Sequence, residues 1–266
     1  MSASKLFSKT TLMTLLISGG ISWAQGAQAA DTVQMTMTGI IQAPAASASS
    51  PQTGVVIEGT RVIYQHDRKE NALTVRNQGK GRWIIQAWVD SDDIMTGKPA
   101  ITSKVLFEVT PTLSLLAPNS VITLHVARKK GQLPADSESV YWLNIKATPR
   151  MAEQKTNTLA MAVNQRIKLF YRPAGLKAPT VSDYQNVTFS RAGNTLRADN
   201  PTPYWITFYS LATGGKTIDT HGRMLPPKGS VSYSLPADAD GKTITWRVID
   251  DRGRISHSLT SRLASH

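Results

Sequence analysis

From Gly54 onward the chain alternates apolar and polar residues in short runs, and turn residues separate the runs. Leu73 and Val75 alternate with Thr74 and Arg76. Trp83, Ile85, Ala87 and Val89 share one parity, and Ile122, Leu124 and Val126 alternate with Thr123 and His125. Tyr141, Leu143 and Ile145 alternate with Trp142 and Asn144. Side chains on an extended strand point to opposite faces in turn, so a period of two describes a strand with one buried face. Leu159 to Tyr171 is a long run of this kind with neither Gly nor Pro, and no segment shows a sustained helical period with caps. Short strands punctuated by Gly, Pro, Asn and Asp imply an all-β sandwich. The long run ends at Pro173-Ala174-Gly175. Alternation resumes at Leu196 and Ala198, at Ile206 and Phe208, and at Ile244, Trp246 and Val248, with turns at Asn200-Pro201-Thr202-Pro203, Gly214-Gly215, Pro226-Pro227 and Asp240-Gly241. The expectation is two sandwiches, residues 54–173 and 181–266, with a linker at 174–180.

The amino terminus has a different character. Lys5 and Lys9 precede an apolar stretch from Leu12 to Ala24, and Ala27-Gln28-Ala29 fits the small-x-small cleavage rule, so residues 1–29 read as a secretory signal. A membrane anchor competes with this reading, but the apolar run falls short of the ~20 residues that a spanning helix needs. Val33, Met35 and Met37 give a short strand signal, and Ala43 to Thr53 is rich in Ala, Ser and Pro. Residues 30–53 are therefore read as an extension that ends in a flexible linker. Export also bears on the charge. Thirty Lys+Arg against 18 Asp+Glu leave +12, which favours acidic partners. An exported chain is an unpromising nucleic-acid binder. The expectation is an exported, soluble protein with no nucleic-acid partner and no membrane insertion.

Residues that carry chemistry are sparse. The chain has no Cys, which removes disulfides, thiolate metal sites and Cys nucleophiles. His66, His125, His221, His257 and His266 are scattered without metal-ligand spacing, and each is read as a solvated surface residue. Asp92-Asp93 and Asp250-Asp251 are adjacent carboxylates. Neighbours on a strand face opposite ways, so neither pair forms an acid–base couple. There is no Gly-x-Ser-x-Gly elbow and no phosphate loop. The reading is a protein that is not an enzyme, with no catalytic residue, no metal and no cofactor. An exported enzyme with a loop-built site would need clustered ionisable groups.

The stretch Leu133-Pro134-Ala135-Asp136-Ser137-Glu138-Ser139-Val140-Tyr141-Trp142-Leu143-Asn144-Ile145 resembles the signature of the PapD-like periplasmic pilus chaperones of the chaperone–usher pathway. Three further blocks agree in the family's order: Gly59-Thr60-Arg61-Val62-Ile63-Tyr64, Arg166-Ile167-Lys168-Leu169-Phe170-Tyr171-Arg172-Pro173, and Asn200-Pro201-Thr202-Pro203-Tyr204. The resemblance runs from about residue 54 to the end. Ser137 departs from it where the family prefers a charged or amide residue, Thr148 and Arg150 flank Pro149 where the family usually has an aliphatic and a small residue, and residues 30–53 have no counterpart.

The resemblance implies two immunoglobulin-like sandwich domains set at an angle with a cleft between them. It also implies a periplasmic chaperone that lends its edge strand to pilus subunits lacking a strand, then passes them to an outer-membrane usher. Such strand addition draws affinity from main-chain bonds and fit from alternate side chains. Leu159, Met161 and Val163 match the family's row of donor side chains; alternation alone would place them in the domain's own core. Arg61 and Lys168 match the pair that grips the subunit's terminal carboxylate. Glu138, Arg172 and Asp251 match an ion network joining the domains, read as exposed, with Asp250 as a competitor for the role of Asp251. Strict alternation puts Lys168 on the face opposite Leu159, Met161 and Val163. Either a bulge intervenes, or the strand offers its row and its lysine to different surfaces. The short connection between Pro149 and Asn157 resembles that of the class serving thicker pili. Implied partners are pilus subunits, the usher and, in the free protein, a possible self-capping homodimer. The alternative is a tandem β-sandwich adhesin or fibre subunit, which would not need the Arg61–Lys168 pair.

Overall fold

The computed structural model describes residues 54–91, 105–150 and 161–265. The expected signal segment, the 30–53 extension, Leu159, Asp92-Asp93, His266 and most of the connection after Pro149 lie outside them. The regular structure of the described chain is nearly all strand, with two separate cores.

The first core lies between two sheets. One runs in the order β1 (Val55–Ile57), β3 (Glu70–Asn77), β7 (Val121–Arg128), β5 (Phe107–Thr110). The other runs β2 (Arg61–Gln65), β9 (Val163–Arg172), β8 (Ser139–Pro149), β4 (Trp83–Asp90), β6 (Leu113–Leu116). The alternating residues supply the filling: Leu73, Val75, Ile85, Leu124, Leu143 and Leu169 are all buried here. At one end the rings of Tyr64, Phe107, Tyr141 and Tyr171 interlock, with Phe107 5.2 Å from Tyr64 and 5.0 Å from Tyr141. Edge-to-face rings at such separations add to the stabilisation from area burial. The chain enters by changing sheets: β1 pairs with β3, and β2 pairs in parallel with β9. Gly59, at φ 114° between them, occupies a backbone region that other residues avoid.

The second core lies between sheets ordered β14 (Gly229–Ser234), β11 (Thr195–Asn200), β10 (Thr188–Ala192), β17 (Ala264–Ser265) and β13 (Lys216–Thr217), β12 (Phe208–Thr213), β15 (Thr243–Val248), β16 (Leu259–Arg262). Leu196, Ala198, Ile206, Ile244, Trp246 and Val248 fill it, as their parity indicates. One short helix, α1 (Val181–Gln185), opens this half. Thr180 and Asp183 form its capping box. A helix of this length spans little more than one turn, too little for the sequence to display a 3.6-residue period.

Candidate functional site

The site is assembled where β9, β8 and β2 meet the second sandwich. Along β9, Ile167, Leu169 and Tyr171 point into the first core. Residues of the other parity, Lys168, Phe170 and Arg172, therefore point outward. The register between β8 and β9 runs without a shift from Ala147↔Val163 to Ser139↔Tyr171. No bulge lies between Val163 and Lys168, so these two side chains leave opposite faces of the strand. Val163 is half-buried on the core parity, and Met161 is 56% exposed just before the strand begins.

Arg61 lies directly beside Lys168 in the β2–β9 register, and Trp142 lies directly opposite it in the β8–β9 register. These three side chains thus share one row on the outward face. Lys168 Nζ sits 5.9 Å from the centre of the Trp142 ring, and among the described residues no carboxylate pairs with it. Burial pulls the ammonium from 10.5 down to about 8, and the like charge of Arg61 pulls the same way. Arg61 leans across the junction, where its Nη1 donates to the Ile249 carbonyl at 3.0 Å and its guanidinium stacks on Phe170 at 5.6 Å. Its Nε is buried without a partner. Burial lowers its pKa as well, against the pull of Asp251. Two part-buried cations, neither in an ion pair among the described residues, make a receptor for an anion.

Trp142, Arg166, Asp90 and Asn144 extend this face, and the sequence reading passed over them. Arg166 stacks on Trp142 at 4.7 Å and donates to Asp90 at 3.0 Å, and Asn144 Nδ2 donates to the same carboxylate at 2.7 Å. The signal was the parity of Trp142 and Asn144, opposite to the core residues Tyr141, Leu143 and Ile145.

Next along the outward parity of β9 comes Arg172. Its Nε and Nη2 donate to Glu138 Oε1 at 3.0 and 2.6 Å, while Nη1 and Nη2 donate to Asp251 at 2.8 and 3.1 Å. The planar fork reaches both carboxylates at once. Burial alone would lower the pKa of Arg172, but its bonds to Asp251 and Glu138 outweigh that and raise it. Burial pushes the Glu138 carboxyl up, opposed by Arg172 and by the Trp205 N–H. The expected exposure of this network is wrong: the Arg172 and Glu138 side chains are 1% and 3% exposed, and only Asp251, at 29%, touches water appreciably. Asp250 does not compete. It closes its own turn by accepting from the Arg252 and Arg254 backbone N–H groups at 2.9 and 2.8 Å.

The block Asn200–Tyr204 owes its form to the Asn200 side chain. Its oxygen accepts from Thr202 N and Oγ1, and its amide donates to the carbonyls of Tyr204 and Pro226. The turn so fixed presents the Pro203 carbonyl to Glu138 N at 2.9 Å and the Trp205 N–H to Glu138 Oε2 at 2.9 Å. A Cβ on Gly253, at φ 77°, would lie 2.6 Å from Thr60 Oγ1, so the two halves approach closely there.

Of the histidines, His66, His221 and His257 are exposed, whereas His125 is half-buried and bonds Glu70 at 3.0 Å. Among the described residues no group of His, Asp and Glu side chains could hold a metal ion, and no helix is long and apolar enough to cross a membrane.

Known proteins resemble this chain over both halves. The family profile described as "Pili and flagellar-assembly chaperone, PapD N-terminal domain" matches residues 54–177, and "Pili assembly chaperone PapD, C-terminal domain" matches residues 182–259. A probable fimbrial chaperone, LpfB of Escherichia coli O157:H7, is 39% identical over 214 residues, 79% of this chain and 89% of that protein. The chaperone protein FimC of Escherichia coli K12 is 36% identical over 218 residues, 80% of this chain and 86% of that protein. Among solved structures, the Escherichia coli chaperone DraB superposes with a TM-score of 0.68 at 32% identity, covering 79% of this chain and 96% of that one. The SafB chaperone in complex with the SafA pilin of Salmonella enterica gives 0.70 at 31% identity, with the same coverage.

Proposed function

The chain belongs to the PapD-like family of pilus-assembly chaperones, and from that premise we propose how its residues hold a pilus subunit. It is a chaperone and not an enzyme, so the site has a binding task only. The observation that carries the reading is the state of β9. β2 flanks only residues 168–172 of that strand. On the side away from β8, residues 163–167 have no neighbouring strand among the described residues. A strand edge with free N–H and C=O groups adds a partner strand readily.

The subunit's incomplete sandwich docks along this open edge, and its own terminal segment pairs with β9. Leu159, Met161 and Val163 insert into the groove left by the missing strand. The subunit's terminal carboxylate reaches Lys168 and Arg61, which gives Lys168 the counter-charge it lacks. Because the row and the lysine face different surfaces, the strand plugs with one face and anchors with the other. The carboxylate contact then fixes the register, since a slip of one residue would turn the apolar row to the wrong side. Arg172, Glu138, Asp251 and Trp205 hold the second sandwich against the anchor. In the periplasm the loaded chaperone meets the usher; when free, a second copy can cover the same edge.

The test is recovery of subunit from periplasm beside a melting curve of each free variant. Lys168→Ala and Arg61→Ala should fold and fail to retain subunit. Leu159→Ser/Met161→Ser/Val163→Ser should fail equally, with the anchor intact. Normal capture by a folded Lys168→Ala protein would remove the anchor from the mechanism.

A further inference from the structure

The subunit-binding residues use little of the +12 charge, and part of the remainder gathers at one place. The β2–β3 turn carries Arg68 and Lys69, and the chain leaving β7 carries Arg128, Lys129 and Lys130. Together they border a cavity of about 470 Å³ whose lining includes no carboxylate.

Three features set this cavity apart from an ordinary solvated face. The like-charged turns are tied together: the buried Tyr64 hydroxyl donates to the Lys69 carbonyl at 2.8 Å and accepts from the Arg128 N–H at 3.3 Å. Arg128 is half-buried and fixed, with its guanidinium 4.8 Å from the centre of the Tyr171 ring and its Nη2 donating to the Gly131 carbonyl at 2.8 Å. Among the described residues no carboxylate pairs with it, and its Nε is buried without a partner. The nearby acids are turned elsewhere, since Glu70 bonds His125 at 3.0 Å and Asp67 lines a different cavity beside Arg172. Other surface cations have acids of their own, as in Arg76–Glu58, Arg197–Asp199 and Arg254–Asp250. A guanidinium fixed in place with no carboxylate beside it offers an entering anion charge-assisted donors that are already positioned.

We propose that this cavity binds a phosphoryl group, carried by a free phosphate compound or by an anionic lipid headgroup. The Arg128 fork supplies fixed donors that match phosphate oxygens, and the exposed lysines supply mobile charge around it. A cationic cluster of this kind also draws a protein to an anionic membrane surface without inserting any segment. The site is separate from the subunit anchor and does not depend on it.

The test uses the purified protein with two probes: inorganic pyrophosphate in calorimetric titration, and phosphatidylcholine vesicles with or without phosphatidylglycerol in co-sedimentation. Arg68→Gln/Lys69→Gln/Lys129→Gln/Lys130→Gln is compared with Lys80→Gln/Arg82→Gln/Arg252→Gln/Arg262→Gln, which removes the same charge from exposed positions elsewhere. All eight residues are exposed, and melting curves check both folds; the two halves of the site variant, tested separately, serve if the full set unfolds. The site variant should weaken binding at least about 10-fold and the control less than about twofold. Site-dependent binding of pyrophosphate identifies a free phosphate ligand, and site-dependent binding of phosphatidylglycerol vesicles alone identifies a headgroup. Equal loss in both variants, no binding of either probe, or tighter site-dependent binding of polyglutamate would overturn the proposal.

Discussion

Replacing Lys168 by Met should make the free protein more stable. Met keeps an apolar stem of similar length over Trp142 and deletes the ammonium. In the folded chain that ammonium titrates at about 8 rather than 10.5, because burial and Arg61 both disfavour its charge. At 1.36 kcal/mol per pH unit this corresponds to about 3 kcal/mol held against folding. Solvent screening at a half-buried group lowers the figure to roughly 1–2 kcal/mol. The sign follows from linkage. Below pH 8 both folded and unfolded chains carry the proton, and the full cost is present. Between 8 and 10.5 the folded chain has released the proton while the unfolded chain still holds it, so wild-type stability gains with rising pH. Above 10.5 the cost is gone. Lys168→Met should therefore exceed wild type by roughly 1–2 kcal/mol at pH 7 in urea unfolding, and the difference should shrink toward zero as pH passes 10.5. Comparing the two proteins at each pH cancels the titration of every other group. A variant less stable than wild type at pH 7, or a gain that persists above pH 10.5, would refute the reasoning.

Other outcomes follow from the same packing. Glu138→Ala leaves the buried Arg172 with Asp251 as its remaining carboxylate partner and should cost about 3 kcal/mol in denaturant unfolding. Asp251→Ala, at the wetter end, should cost about 1 kcal/mol. Gly253→Ala places a methyl against Thr60 at a positive φ and should destabilise by about 1–3 kcal/mol; the companion change Thr60→Gly should recover only the part due to the clash.

Much of this was legible in the sequence because alternation reports parity, and parity reports which face is buried. Leu143, Ile145, Leu196, Ala198, Ile244 and Trp246 entered the cores as their spacing required. Burial normal to the sheet was harder to read. Trp142, Asn144, Lys168 and Arg172 share an outward parity that in an isolated sheet would mean solvent. The second sandwich meets that face at Arg61, Glu138 and Arg172, and no local pattern announces a contact between residues such as Glu138 and Trp205, which lie 67 positions apart in the chain. Nor could spacing show that Lys168 is dehydrated. Nothing in its own strand distinguishes it from Lys146, which lies exposed on β8. The alternation could pose the choice between a bulge and two surfaces, and the unbroken β8–β9 register excludes a bulge from Val163 to Lys168.

The central claim is that Lys168 meets the carboxylate at the end of the subunit chain. A double-mutant cycle measures this directly: wild-type and Lys168→Met chaperones, each titrated with subunit bearing a free or an amidated carboxy terminus. Amidation should weaken binding to wild type and leave binding to Lys168→Met nearly unchanged, with a coupling energy of about 1.5–3 kcal/mol. If amidation costs the same in both chaperones, so that the coupling is zero within error, the carboxylate does not meet Lys168 and the anchor is contradicted.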